Sequence, residues 1–147
     1  MTKKRKDRDH LDIMFKDFKS KIEDKLTSIR KEIKKDLFSI IKIFFEENQE
    51  IDAIRFGCNT VKYNNNPIYT IDKFDIMLNN NTFINIREYG YNSMCNSIHI
   101  YSLVDAARNL LHNLMDLMHE IIFIFGFNQN ITINRSMSIL RKNNEEQ

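Results

Sequence analysis

Between Phe15 and Phe44 the apolar residues Phe15, Phe18, Ile22, Leu26, Ile29, Ile33, Leu37, Ile40 or Ile41, and Phe44 recur every three or four positions. No glycine or proline interrupts them. That spacing predicts one amphipathic helix over residues 9–48. The eight steps from Phe15 to Phe44 cover 29 residues, and their average of about 3.6 per step suits a straight helix better than a strict heptad. At 1.5 Å per residue the helix spans roughly 55 Å. A compact domain of this size is only about 30 Å across. The N-terminal half of the helix therefore needs a further partner, most economically the same helix of a second subunit.

A chain of 147 residues with three glycines and one proline fits a single domain with a real core and little linker. The charge is uneven. Residues 1–35 carry 13 Lys/Arg against 7 Asp/Glu, hence +6, and residues 36–147 carry 9 against 13, hence −4. The basic character belongs to residues 1–10, expected as a flexible arm, and to the start of the helix. Such a segment can meet nucleic acid or a membrane surface, but its interspersed acids favour a solvated helix face. Ile, Asn and Lys number 22, 18 and 14; all three have AT-rich codons, so the asparagine clusters are not taken as functional signals.

After the helix the pattern changes period. Ile51, Ala53 or Ile54, Phe56 and Val61, then a turn at Tyr63–Pro67, then Ile68, Thr70, Ile71, Phe74 and Ile76 predict a hairpin. A second asparagine run, Asn79–Asn81, turns into a third strand over Thr82–Arg87. A loop at Tyr89–Ser93 leads to a second helix ending near Ile122, patterned by Tyr101, Val104, Leu111, Leu114 and Met118. Gly126 breaks it, and Ile131–Ile133 with Met137 and Ile139 form a closing strand. The fold class is α+β: long N-terminal helix, antiparallel β-meander, second packing helix and closing strand. The domain is single, its α+β core spanning 50–141 and its tail 142–147.

The residue types that carry catalysis lack an organising context. No nucleophile elbow, phosphate loop or CxxC spacing is present, so neither catalytic activity, metal nor cofactor is expected. His112 and His119 lie seven apart on the expected second helix without a third ligand. Cys58 and Cys95 are expected as reduced core thiols, and the methionines as core filler. Met1 leads directly into TKKRKDRDH, which does not resemble a secretion signal, and no apolar run is long enough to span a bilayer. The expected compartment is a cytoplasm.

Arginine carries more information. Beyond the basic first 35 residues only Arg55, Arg87, Arg108, Arg135 and Arg141 occur. Arg55 falls inside the first strand beside Phe56, and Arg108 interrupts the apolar pattern of the second helix. An arginine on a mostly buried face needs an anion, and its planar fork suits a phosphate or a carboxylate. An internal carboxylate such as Asp105 or Glu120 and an external phosphate both meet that need. The aromatic residues Phe83, Tyr89 and Tyr91 could stack on a base at roughly 1–3 kcal/mol each.

The run ENQEIDAIRF, the asparagine-rich turn and PIYTI resemble the helix-to-hairpin junction of the phage anti-Thoeris sponge proteins. Chain length and the order of elements over residues 40–140 are similar as well. The chain departs from that pattern with Phe56 for Trp, Gln49 for Pro and Asn65–Asn66 for Asp-Gly. The resemblance implies a homo-oligomer acting in the cytoplasm of an infected cell. Its intersubunit pockets would sequester, without hydrolysis, a cyclic nucleotide immune signal such as a cyclic ADP-ribose isomer. It further implies Phe83 stacking on adenine, Asn92 reading polar edges, Arg55 and Arg108 neutralising phosphates, and Arg135 assisting. The alternative is a structural or nucleic-acid-associated viral protein that uses its basic N-terminal helix.

Overall fold

The structure, a computed structural model, describes residues 2–89 and 98–143. It has the α+β architecture that the sequence pattern predicts. Helix α1 (Thr2–Glu47) is followed by β1 (Ile51–Tyr63), β2 (Asn66–Leu78) and β3 (Phe83–Asn85). Then come α2 (Ile98–Met115), α3 (Met118–Phe125), β4 (Gln129–Asn134) and β5 (Ile139–Asn143). The strands make one sheet in the order β3-β2-β1-β4-β5, every neighbouring pair antiparallel. One face of the sheet carries the core. Ile54, Phe56 and Cys58 of β1, Ile71, Phe74 and Ile76 of β2, and Ile131 and Ile133 of β4 are buried there. They pack with Leu37, Ile41 and Phe45 of α1, Val104, Ala107 and Leu111 of α2, and Ile121 and Ile124 of α3.

The asparagines set the turns. The β1–β2 hairpin closes through Asn64 and Asn65, which take φ of 50° and 66° between the paired residues Tyr63 and Asn66. Two consecutive positive φ values are those of a type I′ turn, whose twist matches the flanking strands, and asparagine tolerates that region better than most residues. Asn81 and Asn128 also have positive φ. Codon bias supplies asparagines in abundance, and the fold places four of them where the backbone is left-handed.

Two irregularities in the β1–β2 ladder decide which side chains share a face. Ile51 pairs with Leu78 but Ala53 pairs with Met77, so Asp52 is an extra residue. Gly57 pairs with Lys73 but Cys58 pairs with Ile71, so Asp72 is another. Each bulge reverses the alternation beyond it. At the second, Gly57 allows close approach: a Cβ there would lie 2.8 Å from Asn130 Oδ1 and 3.0 Å from Asp72 Oδ1.

The structure differs from the sequence expectations in four places. The third strand, expected over Thr82–Arg87, covers only Phe83–Asn85, with residues 86–88 in a turn. The long helix starts at Thr2, so helical backbone runs through the segment expected as an arm. The second helix is two helices. Leu117 N–H reaches back to Leu114 O at 3.0 Å, closing a tight final turn, and Ile121 N–H to Leu117 O at 2.9 Å starts α3. The break lets Ile121, Ile124 and Phe125 bury while Leu110, Leu111 and Leu114 remain in the core. The closing strand is a hairpin. Asn134 Oδ1 accepts from the Ser136 hydroxyl at 2.6 Å and from Ser138 N–H at 3.0 Å, and Met137 at φ 67° completes the turn to β5.

Candidate functional site

Arg55 lies on the face of the sheet opposite the helices. Its neighbours Ile54 and Phe56 are buried in the core, so alternation turns Arg55 outward, where its side chain is 45% exposed. Directly opposite in register is Asp75. Arg55 Nε and Nη2 both donate to Asp75 Oδ2, at 3.0 and 2.8 Å. The guanidinium carbon also sits 4.1 Å from the centre of the Phe83 ring, close cation–π range. One cation thus joins three strands: β1 through its backbone, β2 through Asp75 and β3 through Phe83.

Phe83 occupies the edge strand and is 46% exposed. Beside it opens a cavity of about 440 Å³ lined by Leu78, Asn80, Thr82, Phe83, Ile84, Asn85, Glu88, Tyr89 and Ile100. A smaller hollow of about 260 Å³ shares Leu78, Asn80 and Ile100 with it and adds Glu50 and Asn79. His99 contacts Glu50 through its Nε2. Ile100 belongs to the first turn of α2, so the end of the helix that favours negative charge abuts this edge of the sheet.

Arg108 stands on α2, on the helical side. Its Nη2 donates to the backbone carbonyl of Tyr89, a cavity-lining residue, and its Nη1 is 3.9 Å from Asp105 Oδ1. Tyr89 is further held edge-on against Tyr101, with ring centroids 6.0 Å apart. Each arginine therefore contacts one residue of the same cavity's lining, Arg55 the Phe83 ring and Arg108 the Tyr89 carbonyl. Neither guanidinium is part of its lining. Arg108 has Asp105, one of the internal carboxylates expected from the sequence; the partner of Arg55 is Asp75, which was not among them. Its signal was present: the three-residue step from Ile71 to Phe74, both buried, marks the bulge that brings Asp75 opposite Arg55.

Arg135 is used differently. It donates to Phe45 O at 2.7 Å, to Asn48 O at 2.8 Å and to Ile51 O, and lies 3.9 Å from Asp52 Oδ1. Phe45 O in the last turn of α1 and Asn48 O just beyond it also accept from Asn48 N–H at 3.3 Å and Ile51 N–H at 3.0 Å, and Ile51 O opens β1, so Arg135 adds a charged donor at the end of the helix whose dipole favours a cation. In this chain Arg135 is the cation that closes α1. Asn92, the remaining candidate, lies outside the described residues. His112 and His119, read as one helix face, fall on α2 and α3. Among the described residues no group of three or more His, Cys, Asp or Glu side chains could hold a metal ion, and no helix is long and apolar enough to cross a membrane.

Cys58 is buried beneath the sheet, and burial, reinforced by the negative charge of Asp72, pushes its thiol up to about 12. Only the thiolate is a good nucleophile, so Cys58 is a core residue and not a reactive one. Comparison with protein-family models, with curated proteins and with solved structures finds no match to this chain.

Proposed function

We propose that this protein is a non-catalytic binding protein, a phage anti-defence sponge that sequesters a cyclic nucleotide signal of the cyclic ADP-ribose class in the infected cell. The observation that carries the reading is the cavity beside Phe83. Phe83, an exposed aromatic residue whose ring is backed by the Arg55 guanidinium at 4.1 Å, is one of the lining residues of a space of about 440 Å³, within the range of small-molecule sites. A purine stacked on Phe83 meets hydrogen-bonding groups from Asn80, Thr82 and Asn85 in the same lining. Phosphates directed towards the start of α2 meet the positive end of its dipole. Arg55 and Arg108 act from behind Phe83 and Tyr89, positioning the walls; copies joined through α1 make up the oligomer.

Calorimetry against cyclic ADP-ribose isomers and cyclic oligonucleotides tests this reading. Binding to one of them, lost in Phe83→Ala, is the expected outcome, and heat denaturation of the loaded protein should release the ligand intact. Absence of heat with every isomer and every cyclic oligonucleotide overturns the proposal.

A second reading is favoured by one observation, the exposure of residues 8–32 of α1, which follow a basic stretch of sequence. In that case the protein is a structural or nucleic-acid-associated component of a virus. Retention of DNA or RNA that weakens steeply with salt, and that is lost on deleting Lys3–Arg8, is what this reading requires.

A further inference from the structure

From Leu11 to Ile29 the apolar stripe of α1 faces away from the core, which it joins only through Ile33, Leu37 and Phe44. Leu11, Phe15, Phe18, Ile22, Leu26 and Ile29 are between 38% and 64% exposed, and the stripe continues to Ile40, 54% exposed. At that level of the helix the residues that enter the core, Leu37, Ile41 and Phe45, are rotated to one side of it. A row of large apolar side chains along most of a 46-residue helix is a surface that calls for a partner.

The spacing says what kind. From Leu11 the steps are four, three, four, four, three and four, reaching Ile33 through Phe15, Phe18, Ile22, Leu26 and Ile29. This is an eleven-residue repeat, about 3.67 residues per turn, which keeps two helices in contact with a slight right-handed wrap. The series reads the same in both directions about Ile22. Turned end for end, it sets Leu11 against Ile33, Phe15 against Ile29, Phe18 against Leu26 and Ile22 against itself.

Charge selects between the two directions. Lys3, Lys4, Arg5, Lys6 and Arg8, with Asp7 as the one acid among them, would lie side by side in a parallel pair and repel. In the antiparallel pair centred on Ile22 the same segment reaches residues 36–41 of the other copy. There a shallow groove between α1 and α3, of about 160 Å³, is bordered by Asp36 and Glu120 around Ile33, Leu37, Ile40 and Leu117. Lys19 of each helix also comes beside Glu23 of the other.

We infer that two copies of this chain form a two-fold dimer by antiparallel packing of their α1 helices about Ile22, with the basic start of each helix on the acidic border of the other's α1–α3 groove. The overlap from Leu11 to Ile33 runs for about 33 Å. It explains why the helix outlasts the core: the two α+β cores sit at opposite ends of the shared rod. The inference rests on the association through α1 in the reading above and not on the ligand, so it is tested without nucleotide.

Light scattering on the full chain should give twice 17.6 kDa; the mass of a single chain overturns the proposal. Phe18→Asp with Leu26→Asp, both on exposed positions, should return a single-chain mass while the core still unfolds cooperatively, and a persistent dimer counts against the seam. Direction is read by cross-linking in a Cys95→Ser background with a short bismaleimide. Phe15→Cys co-expressed with Ile29→Cys should give the mixed cross-linked dimer, and Phe15→Cys alone should give none. Efficient cross-linking of Phe15→Cys alone means a parallel pair and overturns the antiparallel arrangement.

Discussion

The guanidinium of Arg135, on the turn after β4, donates to the carbonyl oxygen of Phe45 at 2.7 Å and so ties the last turn of the first helix to the far end of the chain. The same side chain reaches Asn48 O and Ile51 O, and its guanidinium carbon lies 5.5 Å from the Phe45 ring centre. Arg135→Ala should lower the unfolding free energy by about 1.5–3 kcal/mol, the size of hydrogen bonds to a charged donor, while Phe45 O and Asn48 O keep their backbone donors Asn48 N–H and Ile51 N–H. Urea unfolding measures this. Arg135→Lys should recover only part, because an ammonium cannot span acceptors as a planar fork does. A loss below about 0.5 kcal/mol in Arg135→Ala would show that α1 is closed by other means.

Arg55 and Phe83 should couple. A double-mutant cycle with Arg55→Met and Phe83→Leu is expected to give an interaction energy of about 0.5–1 kcal/mol, the size of a partly exposed cation–π contact. Asp75 must be kept in the cycle, because its carboxylate faces the same guanidinium. Zero coupling would mean that the two side chains are only neighbours.

Cys58 supplies a pH dependence whose sign follows from its environment. Its thiol is raised from 9.0 to about 12 in the folded protein. Between those values the unfolded chain has released the proton and the folded one retains it. Stability from this group is therefore complete below about pH 9 and falls as pH rises towards 12, by about 1.4 kcal/mol per unit. Cys58→Ala should show a shallower decline across that window. In a Cys95→Ser background, iodoacetamide at pH 8 should label the unfolded chain and spare the folded one.

The hairpin turn offers the simplest stability test. Asn65 sits at φ 66°, where most side chains are strained by roughly 1–2 kcal/mol. Asn65→Ala should destabilise by about 1 kcal/mol and Asn65→Gly should be neutral or stabilising by a few tenths. Thermal unfolding monitored by circular dichroism will rank the three; Ala at or above Gly would be inconsistent with the left-handed turn.

What could be read from the residues alone was whatever depends on local period. The long helix, the hairpin at the asparagines and the core positions Ile54, Phe56, Phe74, Ile76, Val104 and Leu111 follow from spacings of 3.6 or 2 residues, because burying one face forces that repeat. The same logic identified Arg55 and Arg108 as residues out of pattern. Their partners depend on geometry that local period does not carry. A strict two-residue turn at Asn64 and Asn65 would set Arg55 opposite Phe74. The extra residue at Asp72 shifts the ladder by one, so that Asp75 faces Arg55 and Phe74 enters the core. Arg135 is similar: only the pairing of β4 beside β1 brings a residue from near the end of the chain onto the carbonyls of the first helix. Sequence alone determined the long helix, the hairpin and the inward faces of β1, β2 and α2, since these answer to the hydrophobic effect along a few consecutive turns or strand residues. Tertiary structure alone decided which charges meet, because a one-residue bulge or a change of strand neighbour moves a side chain to another face without altering the apolar pattern that predicts it.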